Sequence, residues 1–248
     1  MNRPASPVAA TLAQTAMELR FSLRRGENML VTILIPAAVL VFFASVDVLP
    51  SGSGRPVDFL LPGSIALAVI ATGLVSLGIA TAYERQYGVL KRLGGSPLTR
   101  SNLIVAKIGG VLTVEAFQVA LLVAIGLGLG WSPGTGTSVA LLVFVLVLGT
   151  AVFAGLGLLL AGALRAEVTM ALANGLFLGS MLLGGIIVPL DRLPGAVAGA
   201  AAWFPGAALA DGLRIAFGAG GNPLPPVAIL SVWSVAALAL AVRTFRWE

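Results

Sequence analysis

The stretch FLLPGSIALAVIATGLVSLGIATA, Phe59–Ala82, decides the fold, because none of its residues carries a charge. A helix rises about 1.5 Å per residue, so about 20 apolar residues cross a hydrocarbon core about 30 Å thick. Five other stretches meet that measure: Met29–Val46, Leu103–Leu129, Val139–Leu164, Val168–Val188 and Pro225–Val242. Their apolar character does not alternate in short segments, which selects helices over a membrane barrel. The sequence therefore predicts an all-α membrane protein with six transmembrane helices.

Composition agrees. The 248 residues are 58% hydrophobic and 10% charged, with a mean hydropathy of +1.02, beyond the range of a soluble domain with one apolar core. Cysteine and histidine are both absent, which excludes zinc sites built from them, thiol nucleophiles and Ser-His dyads. Met1–Pro7 lacks the layout of a secretory signal, so the N-terminus is expected to be uncleaved. The net charge of +5 lies beside apolar spans. That placement points to the lipid bilayer and not to nucleic acid.

With six spans, both termini and the second and fourth loops share one side. That side holds twelve Lys and Arg residues, and the other holds only Arg55, Arg192 and Arg214. The positive-inside rule makes the termini and even-numbered loops cytoplasmic. Ahead of the first span, Val8, Leu12, Ala16, Leu19 and Leu23 form an apolar stripe, with Gln14, Glu18, Arg24 and Arg25 largely elsewhere. Residues 8–26 therefore read as an amphipathic helix on the inner membrane surface, ended by Gly26 and Asn28. The alternative is a poorly ordered tail.

Between spans five and six, residues 190–224 include the moderately apolar run Ala196–Ala219, broken by Pro205, Asp211 and Arg214. These residues oppose a full crossing. They predict short helices that lie on the outer leaflet or re-enter it. A seventh span would move the C-terminus outside, against the charge rule. Residues 1–248 show no fixed-period repeat and read as one membrane domain.

The second cytoplasmic loop, ERQYGVLKRLGGSPLTR from Glu84 to Arg100, sets a dense group of charges between two apolar spans. Tyr87, Leu90 and Leu93 recur at three residues and give a short helix an apolar edge, while Arg85, Lys91 and Arg92 give it a charged one. Gly94, Gly95 and Pro97 end it. A soluble partner docking there is one reading, and a loop that only fixes topology is the other.

The order of residues here is familiar. Glu84, Arg85, Gly88, Lys91, Arg92, Leu93, Ser96, Pro97 and Leu98 resemble the cytoplasmic loop of type-2 ATP-binding-cassette (ABC) exporter permeases, notably the drug-resistance branch. GGIIVPLDRLP, Gly184–Pro194, and WFPGAALADGLR, Trp203–Arg214, resemble that family's fifth span and extracellular re-entrant pair. Many relatives carry a second acidic residue where this chain has Gln86. The resemblance implies that Glu84, Arg85, Gly88, Leu90, Lys91, Arg92, Leu93, Ser96 and Pro97 form a coupling segment held by an ATP-binding subunit. It also places Gly184, Gly185 and Pro189 in the substrate pathway or in helix packing.

The chain has no G-x-x-x-x-G-K-[ST] phosphate loop. ATP and Mg are thus expected on a separate partner subunit, with no cofactor in this chain. Six spans are about half of such an exporter, so a second permease subunit is expected, as homodimer or heterodimer. Gly175 and Gly179 form a small-xxx-small pair, and Gly149, Gly155, Gly157 and Gly162 crowd the fourth span. They pack helices either within one subunit or between two. Glu115 is the one acidic residue well inside a span, with Gln118 nearby. A charge there costs at least about 2.5 kcal/mol, so it faces protein or a wet cavity, or is protonated. Substrate contact and helix packing both fit it.

The combined expectation is a permease of the bacterial plasma membrane, not an enzyme, that exports a hydrophobic, amphipathic or lipid-like substrate. An ion- or proton-coupled secondary transporter is the alternative and wants paired ionisable residues at mid-membrane, where only Glu115 fits. A scaffold or lipid-modifying enzyme wants clustered polar groups, whereas Asp47, Asp58, Asp191 and Asp211 are scattered in sequence.

Overall fold

A computed structural model of the chain describes residues 7–24, 26–46, 55–95 and 99–244. Among the described residues all regular structure is helical. Helix α1 (Pro7–Arg24) precedes α2 (Gly26–Ser45), and α3 (Pro56–Ile70) runs through a π-helical turn, Ala71–Ser76, into α4 (Leu77–Gln86). Then come α5 (Val89–Gly94), α6 (Arg100–Gly128), α7 (Val139–Ala163), α8 (Ala166–Leu183), α9 (Gly195–Ala201), α10 (Pro205–Ala216) and α11 (Leu224–Thr244).

Five of the six expected spans are helices long and apolar enough to cross a membrane: Pro56–Gln86, α6, α7, α8 and α11. The remaining one, α2, is 20 residues long, with Val31–Ser45 as its shorter apolar stretch. The run Pro56–Gln86 is the central helix. Its most apolar window is 78% buried inside the chain, against 17–39% for the other four, and it touches α2, α6, α7, α8 and α10. In its π-helical turn the Leu77 amide donates to the Thr72 carbonyl, five residues back.

Glycines on α7 let the helices meet closely. A Cβ at Gly157 would stand 2.7 Å from the Gly73 carbonyl and 3.0 Å from that of Leu74, and one at Gly155 would stand 3.0 Å from Ala237. Gly155 and Gly157 therefore pack helices within this subunit. Adding one methyl group at a fully packed site costs about 1–3 kcal/mol. Gly157→Ala is expected to lower the thermal unfolding midpoint of the detergent-purified protein, as read by its intrinsic fluorescence.

The two ends of the bundle sort as the alternation of spans requires. At one end the α4 terminus meets the end of α7 and, through Lys107 of α6, reaches α1. At the other, Arg55 donates to the Gly130 carbonyl and lies 3.3 Å from Ser132 Oγ, while the Ser138 amide donates to the Ala216 carbonyl at 2.8 Å.

The fifth span ends earlier than expected. Helix α8 stops at Leu183, and Gly184–Val188 is irregular yet mostly buried. Gly185 adopts φ +63°, a conformation that favours glycine. Beyond it, α9 and α10 are bent by 81°, and Pro205 opens α10, where its missing amide hydrogen costs nothing. At about 1.5 Å per residue their 7 and 12 residues are too short for either to cross. This is the expected pair of short helices, and α10 dips back against α3, α7 and α11.

Candidate docking site at the charged loop

The loop after α4 is fastened before it is exposed. Lys107, seven residues into α6, has a fully buried side chain, with its ammonium 2.7 Å from the Glu84 carboxylate and 3.1 Å from that of Glu18. Gln14 donates to the same Glu18 carboxylate at 2.8 Å. Arg85 donates to the carbonyls of Gly162 and Leu164, at the end of α7, where a helix leaves carbonyls without internal partners. Gln86 donates to Glu167 in the first turn of α8, at 3.3 Å. Three successive residues thus grip α6, α7 and α8, and Lys107 extends the first of these grips to α1.

The next residues turn outward. Gly88 has φ +70°, which starts α5 only at Val89 and leaves Tyr87 outside the helix. Tyr87 therefore does not share the apolar edge expected from its spacing with Leu90 and Leu93. It is 72% exposed and stacks on Tyr83, with ring centroids 6.0 Å apart. Leu90 and Leu93 pack on Leu103 and hold α5 down. Val89, Lys91 and Arg92 join Tyr87 on the exposed edge. The site is an aromatic and basic edge on a pinned short helix. Ser96 and Pro97, together with Leu98, lie outside the described residues, and Thr99 caps α6 by accepting from the Asn102 amide.

The polar residues of the third span lie elsewhere. Glu115 is buried and accepts a hydrogen bond from Thr150 Oγ1 on α7. Its other carboxylate oxygen is buried with no partner among the described residues. Gln118 accepts from Thr72 in the π-helical turn at 3.1 Å and donates to the Thr32 carbonyl of α2 at 3.2 Å. Both are inter-helix ties. Gly175 and Gly179 differ from the α7 glycines, because a Cβ at either would meet nothing within 4 Å. With Ser180, Leu183, Phe204 and Gly206 they line a cleft of about 180 Å³ between α8 and the bent pair.

Gly184 and Gly185 belong to the irregular segment ahead of Pro189, which is fixed by a residue that sequence reading treated only as an obstacle. Arg214 donates to the carbonyls of Gly185 and Ile186, and its guanidinium carbon lies 3.8 Å from the Phe59 ring centroid. Irregular backbone at membrane depth needs such protein partners. Lys107 and Glu18 were also missed as a site. The available signal was a lone cation four residues past the start of the expected span, which requires nearby acidic partners once buried.

This arrangement, with a central helix leading into a fastened charged loop and a bent helical pair near the opposite end, lies largely inside one profile match. The ABC-2 type transporter family profile matches residues 11–217. The chain belongs to the ABC-2 type transporter family. The match takes in the charged loop, Glu115, Gln118 and the bent pair of this ABC-2 protein. Among curated relatives, the probable multidrug ABC transporter permease YbhR of Escherichia coli (strain K12) is 28% identical over 137 residues, covering 55% of this chain and 37% of the relative. The probable multidrug ABC transporter permease YbhS of the same strain is 24% identical over 193 residues, covering 76% and 50%. This ABC-2 chain spans half or less of the length of the curated relatives it matches.

Proposed function

We propose that this chain is the membrane-spanning permease subunit of an ATP-driven exporter in a bacterial plasma membrane, with both termini and the charged loop on the cytoplasmic side. The observation that carries the proposal is the exposed edge of Tyr87, Val89, Lys91 and Arg92 on a helix pinned from behind. A separate subunit binds ATP and Mg and receives this edge in an acidic cleft with room for an aromatic ring. Glu84 and Arg85 pass its movement inward because they grip α6 and α7, with α1 joined through Lys107. Catalysis of bond chemistry is not this chain's role.

A second permease subunit covers α8, whose Gly175 and Gly179 are open to close backbone approach. The substrate is hydrophobic, amphipathic or lipid-like. The clefts along α8 support this: one is almost wholly apolar, and the other, between α2, the π-helical turn and α8, adds only Thr32, Ser76 and Asn174 as polar lining.

The test is the double reversal K91E/R92E in membranes containing the ATP-binding partner. Charge reversal at an interface typically costs several kcal/mol, so ATP-dependent export should fall by at least about tenfold. Membrane insertion should stay unchanged, because both side chains are exposed. Arg85 is a poorer choice, since its reversal would also release the end of α7. Export equal to wild type would remove the docking claim.

A further inference from the structure

Helix α1 is amphipathic in an inverted sense. Its polar residues Gln14 and Glu18 are turned inward, and Thr15 packs where Gly109 of α6 leaves space. Its outward stripe is apolar: Val8 is 68% and Leu12 65% exposed, and Met17 and Phe21 continue the line. Arg20 and Arg24, one turn apart and exposed, end this stripe just before α2 begins. With Met17 and Phe21 they line a shallow surface groove. No carboxylate lies on this exposed face among the described residues.

Helix α6 is longer than a hydrocarbon core. That helix has 29 residues and is about 43 Å long, roughly 13 Å more than a hydrocarbon core. Lys107 and Gly109, where α1 is attached, lie about 10–14 Å from its start. Helix α1 is thus held against the part of α6 nearest one end, the place expected of a helix at the boundary between acyl chains and headgroups, where long basic side chains reach lipid phosphates.

We infer that Arg20 and Arg24 form a binding site for the headgroup of an anionic phospholipid, whose acyl chain lies along Met17 and Phe21. Guanidinium groups pair with phosphate oxygens in fixed fork geometry, and basic residues at a membrane surface favour anionic over zwitterionic lipid. The occupant is a membrane lipid because the same face is apolar over most of its length and continuous with a span. The inference is independent of what the protein transports.

The test uses the full chain in vesicles of equal parts phosphatidylglycerol and phosphatidylcholine, followed by gentle extraction and mass spectrometry of the lipids retained. Wild type is expected to retain phosphatidylglycerol preferentially, with R20Q/R24Q lowering that retention by about tenfold. R20K/R24K should keep most of it, and R100Q, which removes an exposed charge at the start of α6, should leave it unchanged. The proposal is overturned if wild type shows no preference, if R20Q/R24Q retains as much as wild type, or if R100Q loses as much as R20Q/R24Q.

Discussion

Lys107→Met is expected to destabilise the protein by about 3–5 kcal/mol, the usual consequence of removing one partner from a buried ion pair. The ammonium is the shared partner of Glu84 and Glu18, whose side chains are only 13% and 12% exposed. Without it, two carboxylates face each other across a site poor in water, and like charges so placed repel strongly at low dielectric. The loss should appear as a large drop in unfolding temperature in detergent and as release of α1, read by faster amide exchange over its residues. The triple variant K107M/E18Q/E84Q should recover most of the stability, since it removes the stranded charges together with their partner. If K107M alone unfolds at the wild-type temperature, the three residues do not form a structural unit.

Arg214→Leu is expected to cost about 2–4 kcal/mol. It strips hydrogen bonds from the carbonyls of Gly185 and Ile186, each worth about 1–3 kcal/mol when left buried and unsatisfied. It also removes the cation from the Phe59 ring. The irregular segment Gly184–Val188 would then lack its main polar support inside the bundle. Hydrogen exchange over that segment should accelerate, and protease cutting near residues 184–204 should appear at temperatures where wild type resists. R214K should recover only part of the loss, because a single ammonium does not reproduce the planar fork. Unchanged exchange in R214L would show that the segment is held by its packing alone.

The spans were legible in the sequence because crossing hydrocarbon imposes a length that few residues can disguise. Phe59–Ala82 shows this most plainly, and the structure extends it by only a few residues at each end. The end of the fifth span was not legible. Gly184–Val188 is as apolar as the helix before it, and hydropathy does not separate a helix from an irregular strand whose carbonyls are satisfied by a distant arginine. The charged loop was legible as a site, but its inner and outer sides were not. Glu84, Arg85 and Lys91 have the same local signature, and the partners that turn Glu84 and Arg85 inward lie 23 to 79 residues away. Tyr87 was misplaced because helical spacing was carried across Gly88, where the backbone takes a left-handed turn. The inward tie of Glu18 on α1 was not legible for a similar reason, since its counter-charge sits 89 residues downstream.

The three successive anchors at Glu84, Arg85 and Gln86 also decide how the molecule would respond to a push. A load on the tip of α5 is divided at once among α6, α7 and α8, each tied to the loop by its own short polar link, and reaches α1 through Lys107 of α6. The base of the bundle is consequently cross-tied into a single plate. Motion generated outside the membrane would tilt that plate as one body, and the compliance would have to come from the part of the central helix above it.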